Sequence, residues 1–363
     1  MRIHFIGLPH TPFDAEVASS CAFTVKAVNW VTMMTALGHE LVVYWGGDDP
    51  GLEAEFVSCM SPDEQHAHFG DNPWATIRWD NNEAYWQRFN MRTYHELKNR
   101  IRPGDMIAFS AQAWQLAHLV EEFGLEHQII EPNVGYSGIA AGSAAAFETY
   151  AWMHHVYGLH RIEDGRPDDA VIPVYLDPAK FHTGPDQGYA VVIARMVWRK
   201  GVDTAVELAH QYGIPLKIMG ALGNVDEQGQ LWDCEGNVVA RPDQGSWEYL
   251  GEVGPDVRGD VLAGASMLLA PTRYIEAGNN AHCEALLSGV PVVASDWGAF
   301  TDNLDLGVHT FRTIEQGLEA MVHADAMRPK RSGSTRIANA ARDKFSMDAV
   351  GPLFDAWLQR LAD

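Results

Sequence analysis

Two carboxylates and two cations in this chain have types and spacings that suit chemistry on a charged ligand. Glu276 and Glu284 bracket seven residues in "EAGNNAHCEALLSG" (276–289), and Arg195 and Lys200 lie in "ARMVWRKGVDTAVELA" (194–209). A cation pair beside a helix start suits a diphosphate that gains charge as it leaves, because open backbone amides and cationic side chains both stabilise that charge. Each feature taken singly has an ordinary explanation. A glutamate near a helix start offsets the helix dipole, and an Arg/Lys turn is often only a solvated turn.

The elements around these residues place them where a ligand would sit. "SMLLAPT" (266–272) reads as a parallel strand, and in open α/β sheets ligands bind beyond the carboxyl ends of strands. The loop "RYIEAGNN" follows, with Glu276 in it. "NAHCEALLS" then starts a helix, with Asn279 or Asn280 as N-cap and Gly289 as the stop, so Glu284 falls more than one turn inside. Upstream, the strand "YAVVIARM" (189–196) ends at Arg195, and Lys200 precedes Gly201 and the helical "VDTAVELAHQYG" (202–213).

The same alternation runs through the rest of the chain. "RIHFIGL" (2–8) is strand-like, "AFTVKAVNWVTMMTALG" (22–38) is helical and stops at Gly38, and "ELVVYWGG" is a second strand. "DMIAFS" (105–110), "WQLAHLVEEFG" (114–124) and "HQIIEP" (127–132) repeat strand, helix, strand. A polar stretch, "EDGRPDDAVIP" (163–173), reads as a linker before the second half. "PLKIMGA" (215–221) and "VPVVASD" (290–296) add strands there, and "SMDAVGPLFDAWLQRLA" (346–362) reads as a terminal amphipathic helix. The expectation is an α/β protein of two similar halves with mainly parallel sheets.

Composition narrows the partners. The chain has 363 residues, 47% hydrophobic and 20% charged, which is enough for two ordinary cores. A net charge of −22 with no basic stripe disfavours gripping nucleic acid through its phosphates, or an anionic membrane surface. Cys21, Cys59, Cys234 and Cys283 are scattered, so neither a zinc site nor a disulfide framework is suggested. "GGDDPG" reads as a turn rather than a metal ligand set. No apolar run approaches the roughly 18 residues of a membrane span, and no signal-peptide core is present. The expected setting is a reduced, soluble, cytoplasmic one.

In their order along the chain, "ARMVWRKGVDTAVELA", "WEYLGEV" (247–253) and "LLAPTRYIEAGNNAHCEALLSGVPVVASDWGAF" resemble the retaining family-4 glycosyltransferases of the GT-B fold, and the glutamate pair resembles that family's Glu-x7-Glu motif. The resemblance is specific over about residues 170–305 and weaker over 1–165. It implies two Rossmann-like domains with parallel sheets facing a central cleft. Residues 1–165 would form an acceptor domain, with 346–363 packing back on it, and 166–345 the domain for a nucleotide-sugar donor. Arg195 and Lys200 match the pair that neutralises the donor diphosphate. Glu276 matches the carboxylate on the transferred sugar, and Glu284 the one on the ribose hydroxyls. The backbone at Gly278, Asn279, Asn280 and Ala281 would approach the phosphates and sugar, and Tyr249, Gly251 and Val253 would flank the base. Such enzymes generally need neither metal nor cofactor. The donor would be UDP- or GDP-linked, and the acceptor a glycan, a protein or a small molecule.

Three departures from the family pattern are plain. Ala277-Gly278-Asn279 replaces its usual Pro-Phe-Gly. The Gly-Gly pair of its first loop is replaced by "SSCA", with Ser20 and Cys21 as the small residues near phosphate. Its usual histidine after the fourth strand of the first domain is missing from "SAQAWQ" (110–115), where Gln112 is the candidate for a sugar contact. His10 follows the first strand and is a candidate to reach the ligand. His154 and His155 are expected to be structural, and His282 to lie at the surface or behind the site. The aromatic stretch 72–89 is expected to be a packed helical region. The rival readings are a non-catalytic nucleotide-sugar binding protein and another enzyme of this fold, an epimerase or a phosphorylase. A dehydrogenase is rejected, since "GLPHTP" rather than GxGxxG follows the first strand.

Overall fold

The computed structural model describes the chain apart from residues 19–20, 71–81, 112–121, 124–126, 328–330 and 363. The expected helix 114–124 therefore falls almost wholly outside the described residues, as do Ser20, Gln112 and the first part of the aromatic stretch.

The chain divides into two compact units. One comprises Met1–Glu148, Met153–Tyr175 and Val350–Asp363; the other comprises Thr149–Trp152 and Leu176–Ala349. The polar stretch 163–173 lies within the first.

In the first unit the strands are β1 (Arg2–Ile6), β2 (Glu40–Gly46), β3 (Glu55–Met60), β4 (Met106–Phe109), β5 (Ile129–Val134), β6 (Ala144–Phe147) and β7 (Ala170–Val171), in sheet order β3-β2-β1-β4-β5-β6-β7. Every pairing is parallel. The inner strands are buried on both faces, which is why they read as continuous apolar runs. Helix α1 (Ala22–Ala36) follows β1, and Gly38 at φ 85° ends it. The helices α2 (Pro62–Phe69) and α3 (Ala84–Arg100) follow β3, and α4 (Tyr150–His160) follows β6. In α4, His154 is exposed and His155 half-buried.

The second unit repeats the plan. Its strands β8 (Ala190–Ile193) and β9 (Leu216–Met219) lead to a small antiparallel sheet of β10 (Asn224–Val225), β11 (Leu231–Trp232) and β12 (Val238–Ala240), which the sequence reading did not anticipate. The parallel sheet resumes with β13 (Trp247–Gly251), β14 (Met267–Ala270), β15 (Val292–Ser295) and β16 (Val308–Phe311), in order β13-β9-β8-β14-β15-β16. The helices of this unit are α5 (Val202–Tyr212), α6 (Pro255–Gly264), α7 (Asn280–Leu287), α8 (Ile314–Met327) and α9 (Arg331–Phe345). The last helix, α10 (Met347–Ala362), packs Phe354 edge-on against Trp30 of α1, with ring centroids 6.2 Å apart.

Strand order decides where a ligand can go. The chain fills one side of the sheet through β9 and β13, then crosses to place β14 on the other side of β8. The connections from β8 and β14 thus run to opposite sides of the sheet, and such a switch point is where ligands bind in open α/β sheets, beyond the carboxyl ends of the strands. Among the described residues, no helix is long and apolar enough to cross a membrane.

Candidate functional site

Arg195 and Lys200 lie in the loop after β8, and Glu276 lies in the loop after β14. The two loops meet. Lys200 Nζ donates to Glu276 Oε1 at 2.7 Å and to the Tyr274 hydroxyl at 2.7 Å, and that hydroxyl donates to Glu276 Oε2 at 2.6 Å. Asn279 Nδ2 adds a third donor, to Oε1 at 3.0 Å. A carboxylate only 5% exposed is therefore held by an ammonium, a phenol and an amide. Arg195 is exposed at the mouth of the same loop, and its charge reaches Tyr274. Arg199 covers the Tyr274 ring, with the guanidinium carbon 4.7 Å from the centroid. Burial, and then the Glu276 charge, push the Tyr274 phenol far above its ordinary value, so it stays a donor.

Local backbone makes this approach possible. Gly201 sits at φ 67°, and a Cβ there would lie 1.9 Å from the Pro271 carbonyl oxygen. Gly298, at φ 66°, opens a 3-10 run (Gly298–Leu306) that lies on the Glu276 backbone. A Cβ on Gly298 would come 2.5 Å from Glu276 N, and Ala299 N donates to Glu276 O at 3.0 Å. Only glycine combines that handedness with that closeness.

Helix α7 begins at Asn279, the N-cap, whose Oδ1 accepts from His282 N at 3.1 Å. Asn279 is a non-glycine residue in the left-handed region, at φ 57°. Gly278 is buried, and Asn280 and Ala281 are half-buried in the first turn. Asn280 Oδ1 is a buried acceptor with no donor among the described residues. Of the two positions expected for His282, at the surface or behind the site, it takes the buried one: it is 0% exposed, wedged against Phe300 and Phe345, because every residue of α7 from His282 onward is buried.

Glu284 faces a different neighbour. Its Oε2 lies 3.0 Å from Arg258 Nε on α6, yet neither atom makes a hydrogen bond, because the N–H is not aimed at the oxygen. Burial raises the Glu284 carboxyl above its usual range, and the Arg258 charge offsets this only in part. An incompletely satisfied buried carboxylate is costly to the empty protein. Gly251 and Val253 lie on the segment leading into α6, both half-buried. The Tyr249 hydroxyl donates to Gly220 O at 2.6 Å and accepts from Gly223 N at 3.1 Å, bracing the loop after β9.

In the first unit His10 and Cys21 come together, with His10 Nε2 4.0 Å from Cys21 Sγ. His10 is 3% exposed against Trp86 and Phe69, and burial lowers it to about 4. Ser20 and Gln112 lie outside the described residues.

Sequence reading missed Tyr274, Arg199 and Arg258. Tyr274 carried a usable signal: it stands two residues before Glu276 beyond a strand's carboxyl end. Arg258 carried none, since its partner is a turn of another helix.

No protein-family model matches the chain, and no curated protein matches it in sequence. Solved structures do match. AviGT4, a glycosyltransferase involved in avilamycin A biosynthesis, is 18% identical at TM-score 0.65, over 99% of this chain and 98% of that one. Sucrose-phosphate synthase from Thermosynechococcus elongatus is 13% identical at TM-score 0.65, again over 99% and 98%. Anabaena Alr3699/HepE, solved with UDP and glucose, is 11% identical at TM-score 0.61, over 99% and 100%. The likeness is one of fold: two α/β units with parallel sheets, as in GT-B glycosyltransferases.

Proposed function

We propose that this chain is a retaining, metal-independent glycosyltransferase of the family-4 type. It would move a sugar from a UDP- or GDP-linked donor to a hydroxyl of a glycan, a protein or a small molecule. The observation that carries this reading is a pair of buried acceptors on one helix, Glu284 Oε2 and Asn280 Oδ1, that accept no hydrogen bond among the described residues, the first having only the ill-aimed Arg258 beside it. A ligand that brings hydroxyl donors to them, as a ribose does, removes the cost of leaving them bare. The fold adds support, since a structure sharing it holds UDP and glucose.

The geometry supports the following roles. Lys200 has three N–H donors, of which Tyr274 and Glu276 use two, so one is left for a phosphate oxygen. Arg195 and the open amides of α7 add to that stabilisation. Glu276, rigidly held, would orient the transferred sugar and favour positive charge on its ring. The acceptor hydroxyl would attack the anomeric carbon on the face from which the diphosphate departs. The anomeric C–O bond to the diphosphate breaks, a new C–O bond forms, and the acceptor proton passes to a departing phosphate oxygen. Electrostatic stabilisation of that leaving group supplies the main acceleration. The first unit would take the acceptor, and His10, Cys21, Ser20 and Gln112 are its candidates for contacts to the donor.

A panel of UDP-, GDP- and ADP-linked sugars with EDTA present tests the proposal by thermal shift and by slow diphosphate release. One donor should stabilise the protein and be hydrolysed, with both effects lost in Glu284→Ala. Stabilisation without any release, with acceptors supplied, would leave a binding protein as the surviving reading. No response to any donor overturns the proposal.

A further inference from the structure

His282 is buried, is titratable, and has no part in the mechanism above. Its Nδ1 lies 2.5 Å from Asn279 O, and its Nε2 lies 3.0 Å from Asn303 Nδ2. A carbonyl oxygen can only accept, so Nδ1 carries the proton and Nε2 is the acceptor. The other side agrees independently. Asn303 Nδ2 also donates to Ala299 O at 2.9 Å, which fixes its amide with the NH2 toward the ring.

The two residues that the imidazole joins both touch the Glu276 support. Asn303 belongs to the 3-10 run whose Ala299 N binds the Glu276 carbonyl, and Asn279 donates from its side chain to Glu276 Oε1. Asn279 makes that bond from a left-handed backbone conformation that a residue with a Cβ rarely adopts. In addition, Asn279 Oδ1 is committed to the helix cap. A continuous line of hydrogen bonds therefore runs Asn303–His282–Asn279–Glu276.

We propose that His282 is a positioning residue. As a neutral imidazole protonated on Nδ1, it locks Asn279 in the left-handed conformation from which Asn279 holds Glu276. It touches no ligand and transfers no proton. Its effect should fall on the part of a ligand that meets Glu276, and not on the part that meets Glu284 or Arg195. The functional consequence rests on the glycosyl-transfer reading; the structural role does not.

The test has two arms. In the first, 15N NMR of the imidazole in the wild-type protein between pH 6 and 8 should show a protonated Nδ1 and a bare Nε2; the opposite tautomer, or a charged ring, overturns the proposal. In the second, His282→Phe fills the ring volume without either bond, and His282→Asn restores a donor near the Nδ1 position. The Phe variant should bind free UDP or GDP as the wild type does, within about twofold, and lose about tenfold of the extra affinity that the sugar of the matching nucleotide sugar confers. The Asn variant should recover part of that loss. A folded Phe variant that keeps the full sugar increment overturns the proposal. Should the Phe variant fail to fold, the Asn variant and the wild-type tautomer decide. If the wild type binds no nucleotide sugar, the glycosyl-transfer reading falls, and the positioning role stands or falls on the tautomer.

Discussion

Lys200 Nζ lies 2.7 Å from Glu276 Oε1, although 76 residues separate the two in the chain. With Tyr274 hydrogen-bonded to both, cation, phenol and carboxylate form a closed three-membered ring of hydrogen bonds. Tyr274→Phe removes one donor from a buried carboxylate while keeping the ring beneath Arg199. Hydrogen bonds to charged groups contribute about 1.5–3 kcal/mol. Turnover of the donor identified in the panel should fall roughly tenfold or more, with a smaller loss of melting temperature; unchanged initial rates would remove Tyr274 from the site.

Glu284→Gln should stabilise the empty protein while abolishing donor affinity. Burial raises the carboxyl of Glu284, so the folded state binds more protons than the unfolded one between the two pKa values. That contribution is present at low pH and is lost as pH rises through the folded value. The neutral amide escapes the loss. The stability gain of the variant should therefore be largest at neutral pH and shrink on acidification through the carboxyl range, as followed by urea unfolding at several pH values.

The two buried histidines run the other way. Burial lowers His10 and His282 to about 4, against an ordinary 6.5, so both are neutral in the folded protein. Their contribution is complete above about 6.5 and is lost as pH falls toward about 4, at up to ~1.4 kcal/mol per pKa unit. His10→Phe, set between Trp86 and Phe69, should flatten the acid limb of the stability profile. An unchanged limb would mean that His10 is hydrated or charged in solution.

Gly298→Ala should disturb Glu276 from behind. The added Cβ meets Glu276 N at 2.5 Å from a backbone at φ 66°, so backbone must move. Loss of stability by more than about 1 kcal/mol is expected, together with loss of the sugar-dependent part of donor affinity, measured by calorimetry against the free nucleotide.

Arg195→Ala separates ligand binding from folding. The side chain is exposed, so stability should stay within about 0.5 kcal/mol. Affinity for a nucleoside diphosphate should fall much more than affinity for the nucleoside alone. An equal fall for both would place the guanidinium away from the phosphates.

The sequence by itself determined the alternation of strand and helix, the glycine stops at Gly38 and Gly289, and the loop positions of Lys200 and Glu276. These are local properties: an apolar period and a chain reversal are written in neighbouring residues. Short elements with weak patterns, such as β6 with its run of alanines and the antiparallel strands β10 to β12, were not legible, because their pairing partners rather than their own residues stabilise them. Tertiary structure alone decided which polar groups found partners. It gave Glu276 three donors and left Glu284 with a misaimed arginine. It also put His282 in the core, settling a choice that the sequence had left open between the surface and a place behind the site. Burial and hydrogen-bond satisfaction depend on side chains brought in from other elements, and no spacing within one segment records them.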